Sequence, residues 1–158
     1  MNRHIVLIIS AVLLMGLSGC QKVDDPFVDR VVAPVLVVID NATGDGGGQT
    51  GEPVVSQKVG GPVMLGVKIY ELDKNGILNK AVGIDSIPVT ALTIKLTTRA
   101  GAVIGDLKTD GTGRASISKT WAELGITAPK VGSNVSLTWT GEYKGQAFSR
   151  LSRVEAIN

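Results

Sequence analysis

Histidine and cysteine are all but missing: the chain has one of each in 158 residues, His4 and Cys20. Everything beyond Cys20 therefore lacks an imidazole and a free thiol. That removes Ser-His-Asp and Cys-His catalysis, zinc sites of the His/Cys type, thiol redox chemistry and structural disulfides. Aromatic residues are scarce too, with two each of Trp, Tyr and Phe, thin material for a platform that stacks on sugar rings. Charge is sparse and nearly balanced, at 16 basic against 14 acidic residues. No basic strip or run of like charge stands out, so nucleic acid is not an expected partner. The longest apolar run, Ile5 to Met15, falls short of the about 20 residues that a membrane-spanning helix needs. No catalytic residue, cofactor or metal is expected.

What is present begins with a processed leader. Met1-Asn2-Arg3-His4 is a short basic start, Ile5 to Met15 is apolar apart from Ser10, and small residues follow at Gly16, Ser18 and Gly19. This has the length and flanks of a secretory h-region. An ordinary signal peptide would end in an A-x-A-like pattern, and none is here. Leu17-Ser18-Gly19-Cys20 instead resembles the lipobox of bacterial lipoproteins. The resemblance implies cleavage by signal peptidase II before Cys20 and acylation of the new N-terminal cysteine with two or three chains, palmitate among them. A single chain binds a bilayer marginally, whereas two or more, at about 0.8 kcal/mol per buried CH₂, hold stably. The organisation expected is a leader at 1–19, an acylated cysteine and tether at 20–30, and one domain at 31–158. The address implied is the outer membrane, on its periplasmic or cell-surface face. Gln21-Lys22-Val23-Asp24-Asp25-Pro26 reads as a solvated linker. It also resembles, loosely, the lysine-plus-acid signal that sends Bacteroidetes lipoproteins to the cell surface.

From Val31 onward the pattern is β. Val35 to Ile39 is a β-branched run bounded by Pro34 and Asp40-Asn41, and reads as a strand buried on both faces. A Gly-rich loop over 41–53 follows, then a short edge strand over 54–59. Val63, Leu65, Val67 and Ile69 alternate with Met64, Gly66, Lys68 and Tyr70; Leu92, Ile94 and Leu96 with Thr93, Lys95 and Thr97; and later Val135, Leu137 and Trp139 with Ser136, Thr138 and Thr140. These three sets predict one shared interior. Asp73-Lys74-Asn75-Gly76 and Asp110-Gly111-Thr112-Gly113 are turn chemistry. Thr120-Trp121-Ala122-Glu123 has capping-box spacing and predicts one helical turn between strands. In the last strand, about 147–156, Phe148, Leu151 and Val154 fall three apart, which predicts a bulge. Seven or eight short strands with turns every 8–12 residues make an all-β chain, a β-sandwich.

Residues 66–117 carry a further likeness. Gly66-Val67-Lys68-Ile69-Tyr70, Ile87-Pro88-Val89-Thr90 and Thr109-Asp110-Gly111-Thr112-Gly113-Arg114-Ala115 resemble bacterial Ig-like domains of the invasin/intimin type. In those, a Thr-Asp-x-x-Gly-x-Ala step joins two strands; transthyretin-like modules share a similar step. The resemblance implies an Ig-like sandwich of the kind that serves as spacer, stalk or binding unit. It places Trp139 in the core, where Ig-like folds often put a Trp.

Candidate site residues each carry a plainer reading beside the functional one. Asp40, Asn41, Asp45 and Glu52 offer oxygens to Ca²⁺, without the D-x-D-x-D-G rhythm of known loops, so no metal is expected. Asp106 and Asp110 suggest an acid/base pair, although Asp110 at a turn more often caps its own loop. Trp121, set in a turn, is the aromatic expected to be exposed and to contact a ligand. Asp85-Ser86-Ile87 fits an Asp-Ser-apolar O-glycosylation pattern in a loop before Pro88, making Ser86 an acceptor candidate. Asn41-Ala42-Thr43 and Asn134-Val135-Ser136 match N-glycosylation triplets, which mean little in a bacterial lipoprotein. The expected function is a non-enzymatic, membrane-anchored binding or structural module. Its expected partners are the lipid bilayer, through acylated Cys20, and an envelope protein or glycan. The alternative is a small hydrolase or glycan-degrading accessory working with carboxylates or a Ser-Lys pair.

Overall fold

The longest strand of its sheet, β4 (Val63–Asp73), shows how alternation builds the core. Val63, Leu65, Val67 and Ile69 are at most 1% exposed, while Met64 between them stands at 45%. The computed structural model describes residues 33–43 and 52–158. There the chain is all β, with ten strands in two sheets and no helix among the described residues. The leader, the tether and residues 44–51 lie outside the described residues, and with them Leu17, Ser18, Gly19, Cys20 and Asp45.

The first sheet is organised by β4. On one side it pairs antiparallel with β1 (Leu36–Ile39), from Leu36 opposite Tyr70 to Ile39 opposite Val67. Its other side is shared end to end. There β5 (Asp85–Pro88) takes the stretch from Tyr70 to Asp73, and β8 (Arg114–Lys119) takes Val63 to Lys68. The second sheet also contains β2 (Ala42–Thr43), β3 (Val54–Lys58), β6 (Thr93–Thr98), β7 (Val103–Lys108), β9 (Asn134–Tyr143) and β10 (Gln146–Ile157). Its order is β2-β3-β10-β9-β6-β7, with β3 parallel to β10 and the other neighbours antiparallel.

Inner faces of the two sheets meet in one core. Ile94, Leu96, Leu137, Trp139 and Val154 of the second sheet are buried with the β4 set, and Leu92 and Val135 pack against them. The three alternating sets thus do share an interior. Burial of each such side chain contributes about 1.5–3 kcal/mol, which makes this core the main source of stability.

Several expectations need correction. Among the described residues the strands number ten, not seven or eight, because the two-residue β2 and the four-residue β5 lack a periodic pattern long enough to read. Val35 to Ile39 is not buried on both faces. The strand it contains, β1, is an edge with a single partner, and Leu36 is 38% exposed while Ile39 is 3%. Residues 54–58 are not a free edge, since β3 lies between β10 and the short β2. The bulge expected in the last strand is absent: β10 pairs with β9 in unbroken register from Gln146–Tyr143 to Glu155–Asn134. Strict alternation holds there because a polar residue, Ser152, takes an inward position at 1% exposure, and Leu151 turns outward. The register shift among these ladders falls instead between Leu96 and Thr97, where β6 meets β7.

Pairing also defines two ends. The chain reaches β1 at Leu36, opposite Tyr70. That end carries the β4–β5 hairpin, the turn before Arg114 and the β9–β10 turn at Lys144-Gly145. The opposite end carries residues 59–62, the β6–β7 turn and the long connection 120–133.

Candidate functional site

At the end opposite the β4–β5 hairpin the connection after β8 is shaped by its own sequence. Thr120 and Glu123 close the capping box: the Glu123 carboxylate accepts from Thr120 N–H at 2.8 Å, and Thr120 Oγ1 accepts from Glu123 N–H at 3.3 Å. The turn ends in a Schellman arrangement, in which Ile126 N–H donates to Trp121 O at 2.8 Å and Gly125 N–H to Ala122 O at 3.0 Å. That closure needs a left-handed residue, and Gly125 supplies it with φ +91°. The single helical turn predicted from the capping box is therefore present in its hydrogen bonds.

This turn faces the β6–β7 turn across a groove of about 540 Å³. The β6–β7 side is fixed by Thr98 N–H to Ala102 O at 2.8 Å, and by Arg99 N–H to Ser136 O at 2.9 Å. Ile104, Leu124, Ile126 and Val135 form the apolar lining, and Val103, 63% exposed, stands at the margin. The rim is charged. Arg99 pairs with Glu52, whose other oxygen meets Arg153 at 3.5 Å. Glu123 is held by Thr120 N–H and by Lys119 Nζ at 3.1 Å. The Thr120 backbone, then Lys119, then the Thr120 hydroxyl keep its carboxyl below the usual glutamate range. The groove thus combines an apolar lining with a rim of ionised side chains.

The structure corrects one site expectation directly. Trp121 is buried, at 4% exposure, and its indole Nε1 donates to Lys58 O at 3.1 Å. The helical turn folds the ring inward, and Trp121 joins the core. Trp139 is also interior, its Nε1 donating to Ser152 Oγ at 2.8 Å.

The other candidates are scattered. Ser86 is exposed, but on strand β5 opposite Leu72 and not in a loop. Asp110 caps its own turn: Oδ1 accepts from Thr112 N–H at 2.8 Å, Thr112 Oγ1 at 2.7 Å and Arg114 N–H at 3.0 Å. The Thr112 hydroxyl is the largest influence holding its pKa down. Asp106 stands exposed on β7. Asp40 is bound to Arg114 at 2.5 Å and Lys68 at 3.5 Å, and Glu52 to two arginines, so neither is left to assemble a Ca²⁺ site. Among the described residues no group of three or more His, Cys, Asp or Glu side chains could hold a metal ion.

One cluster escaped sequence reading. Tyr143 Oη donates to Glu71 at 2.6 Å and Lys144 Nζ donates to the other carboxylate oxygen at 2.5 Å. The Lys144 cation also lies 5.2 Å from the Tyr143 ring centre. Lys144, then Tyr143, hold Glu71 below its ordinary pKa, while Glu71 raises both partners. The cluster ties the β9–β10 turn to β4 and so links the sheets. Glu71 lies 72 and 73 residues from its two partners, and no local pattern announces the cluster.

In comparisons with protein-family models, with curated proteins and with solved structures, nothing matches this chain.

Proposed function

We propose that this chain is an envelope lipoprotein, held to the outer membrane through acylated Cys20, whose Ig-like sandwich binds an apolar segment of an envelope protein. The observation that carries the reading is the groove at the free end. It is open, apolar at its lining, ionised at its rim and set at the end opposite the one by which the chain joins the sandwich. Loops on a rigid scaffold at such an end are where a tethered sandwich has room to bind.

Strand partition supports the Ig-like part. Strands β4 and β8 share one sheet, and β10-β9-β6-β7 run in order in the other, as B and E, and G-F-C-C′, do in Ig folds. The chain departs from that pattern in its tryptophan. Ig folds bury a Trp on strand C, whereas Trp139 lies on β9, the F position. A protein segment is favoured over a glycan because both tryptophans are buried, leaving the groove lined by aliphatic side chains. The caps and ion pairs that occupy Asp110, Glu123 and Glu71 favour binding over acid/base chemistry.

Filling the groove tests this. Ala102→Trp and Ala122→Trp place a large side chain at two exposed positions on its walls. Each variant should melt like the wild type, yet lose at least about tenfold in capture of the partner from envelope extract, the cost of about 1.4 kcal/mol. Two folded variants that capture as well as the wild type would place binding elsewhere.

A further inference from the structure

The hairpin between β4 and β5 is built to stand alone and yet presents its apolar side chains to solvent. Its backbone closes on itself: Ile77 N–H donates to Lys74 O at 3.0 Å, Asn79 N–H to Gly76 O at 2.8 Å, and Val82 and Gly83 N–H to Asn79 O at 3.0 and 2.8 Å. Two side chains add to this, Asp73 accepting from Asn75 N–H at 2.9 Å and Asn79 from Ala81 N–H at 3.0 Å. Such a loop needs no apolar residue to hold its course. Even so, Leu78 is 98% exposed, Val82 66%, Ile77 55% and Ile84 47%. Clustered exposed aliphatics on one ordered element mark a surface that meets something apolar.

The location of the hairpin selects what it meets. It lies at the end where the chain joins β1, since Leu36 pairs with Tyr70 and β5 pairs with the last four residues of β4. From Cys20 to Ala33 the chain spans about 43 Å at most, at about 3.3 Å per residue. Whatever bilayer holds Cys20 is therefore within reach of this end and is the nearest apolar phase to it. Lys74 and Lys80 flank the aliphatic tip and Asp73 and Asp85 sit at its base. Long cationic side chains can stay at headgroup level while the tip goes deeper.

We propose that the tip of the β4–β5 hairpin, centred on Leu78, docks into the interfacial region of the membrane that anchors the chain. This rests on the lipoprotein reading of Cys20. Docking would orient the sandwich upright, with the groove pointing away from the bilayer.

The test uses the full, processed chain in vesicles of phosphatidylethanolamine and phosphatidylglycerol. Leu78→Cys, and separately Val131→Cys at the free end, are labelled with a polarity-sensitive fluorophore; both positions are exposed enough to leave folding alone. The Leu78 probe should brighten about threefold and be quenched by a lipid-borne quencher, as expected about 5–10 Å into the headgroup boundary, and the Val131 probe should not. Equal, water-like signals from both probes in an acylated sample overturn the docking and leave the anchor standing. Protection of the Leu78 probe that needs no vesicles and grows with protein concentration also overturns it, assigning the tip to a second copy. Mass spectrometry of the same sample reads acylation at Cys20 independently. Should Cys20 be bare, the anchor reading fails by itself, and the hairpin is judged by sedimentation of the full chain with the same vesicles. Binding that is weakened by Leu78→Ser then supports the hairpin, and binding that is unchanged or lacking overturns it.

Discussion

Trp139 and Ser152 show how much one residue can decide. The indole N–H is buried on β9 and its acceptor is a hydroxyl on β10, 1% exposed and 2.8 Å away. Ser152→Ala would leave that donor without a partner and should cost about 1–3 kcal/mol in chemical denaturation. Ile94, fully buried, should cost about 2–5 kcal/mol as Ile94→Ala. Its exposed neighbour should matter little, Lys95→Ala staying within about 0.5 kcal/mol. Equal midpoints for the two would contradict the register of β6. The burial of Ile94 was legible because period two assigns a face to every residue of a strand. That of Ser152 was not, because hydropathy alone points Leu151 inward. Only the pairing partner across the ladder settles which neighbour goes in.

At the scale of elements, local chemistry was readable and tertiary placement was not. The capping box at Thr120–Glu123 is a four-residue signal and forms as its spacing predicts. Burial of Trp121 depends on the carbonyl of Lys58, 63 residues earlier, which no window along the sequence contains. Thr120→Ala should therefore cost about 1 kcal/mol and, by loosening the turn, shift the tryptophan emission to longer wavelength. Gly141 makes the matching case on β9. A Cβ there would lie 2.6 Å from the Phe148 ring on the paired strand. Gly141→Ala should lower the melting temperature by displacing that ring, with about 1–3 kcal/mol of overpacking. Strand β5 was missed for another reason. All four of its residues are exposed, so it leaves no apolar alternation to detect.

For the whole molecule, the charged clusters set the response to pH. Glu71, Asp110 and Glu123 have folded pKa values below their unfolded ones. The stability they add is complete above the unfolded carboxylate values of ~4 and is lost as pH falls through the folded values. Tyr143 and Lys144 are raised, so their contribution is complete below unfolded values of ~10 and is lost as pH climbs through the folded ones. The only histidine is His4. Melting temperature should thus be flat from about pH 5.5 to 9 and fall on both sides, and a slope between about pH 5.5 and 8 would contradict this assignment. The proposed address rests on Leu17-Ser18-Gly19-Cys20, and metabolic labelling with a clickable fatty acid should mark the wild type and spare Cys20→Ala.

The two ends of the sandwich are assigned opposite surroundings, and photocrosslinking in intact cells reads both at once. A photoreactive residue replaces Val103 at the groove margin in one strain and Leu78 at the hairpin tip in another. The expected result is a discrete protein adduct from position 103, lost when Ala102→Trp fills the groove, and lipid adducts without that protein from position 78. The same protein adduct from both positions, or from position 78 alone, would contradict the assignment of partner to the free end and membrane to the other.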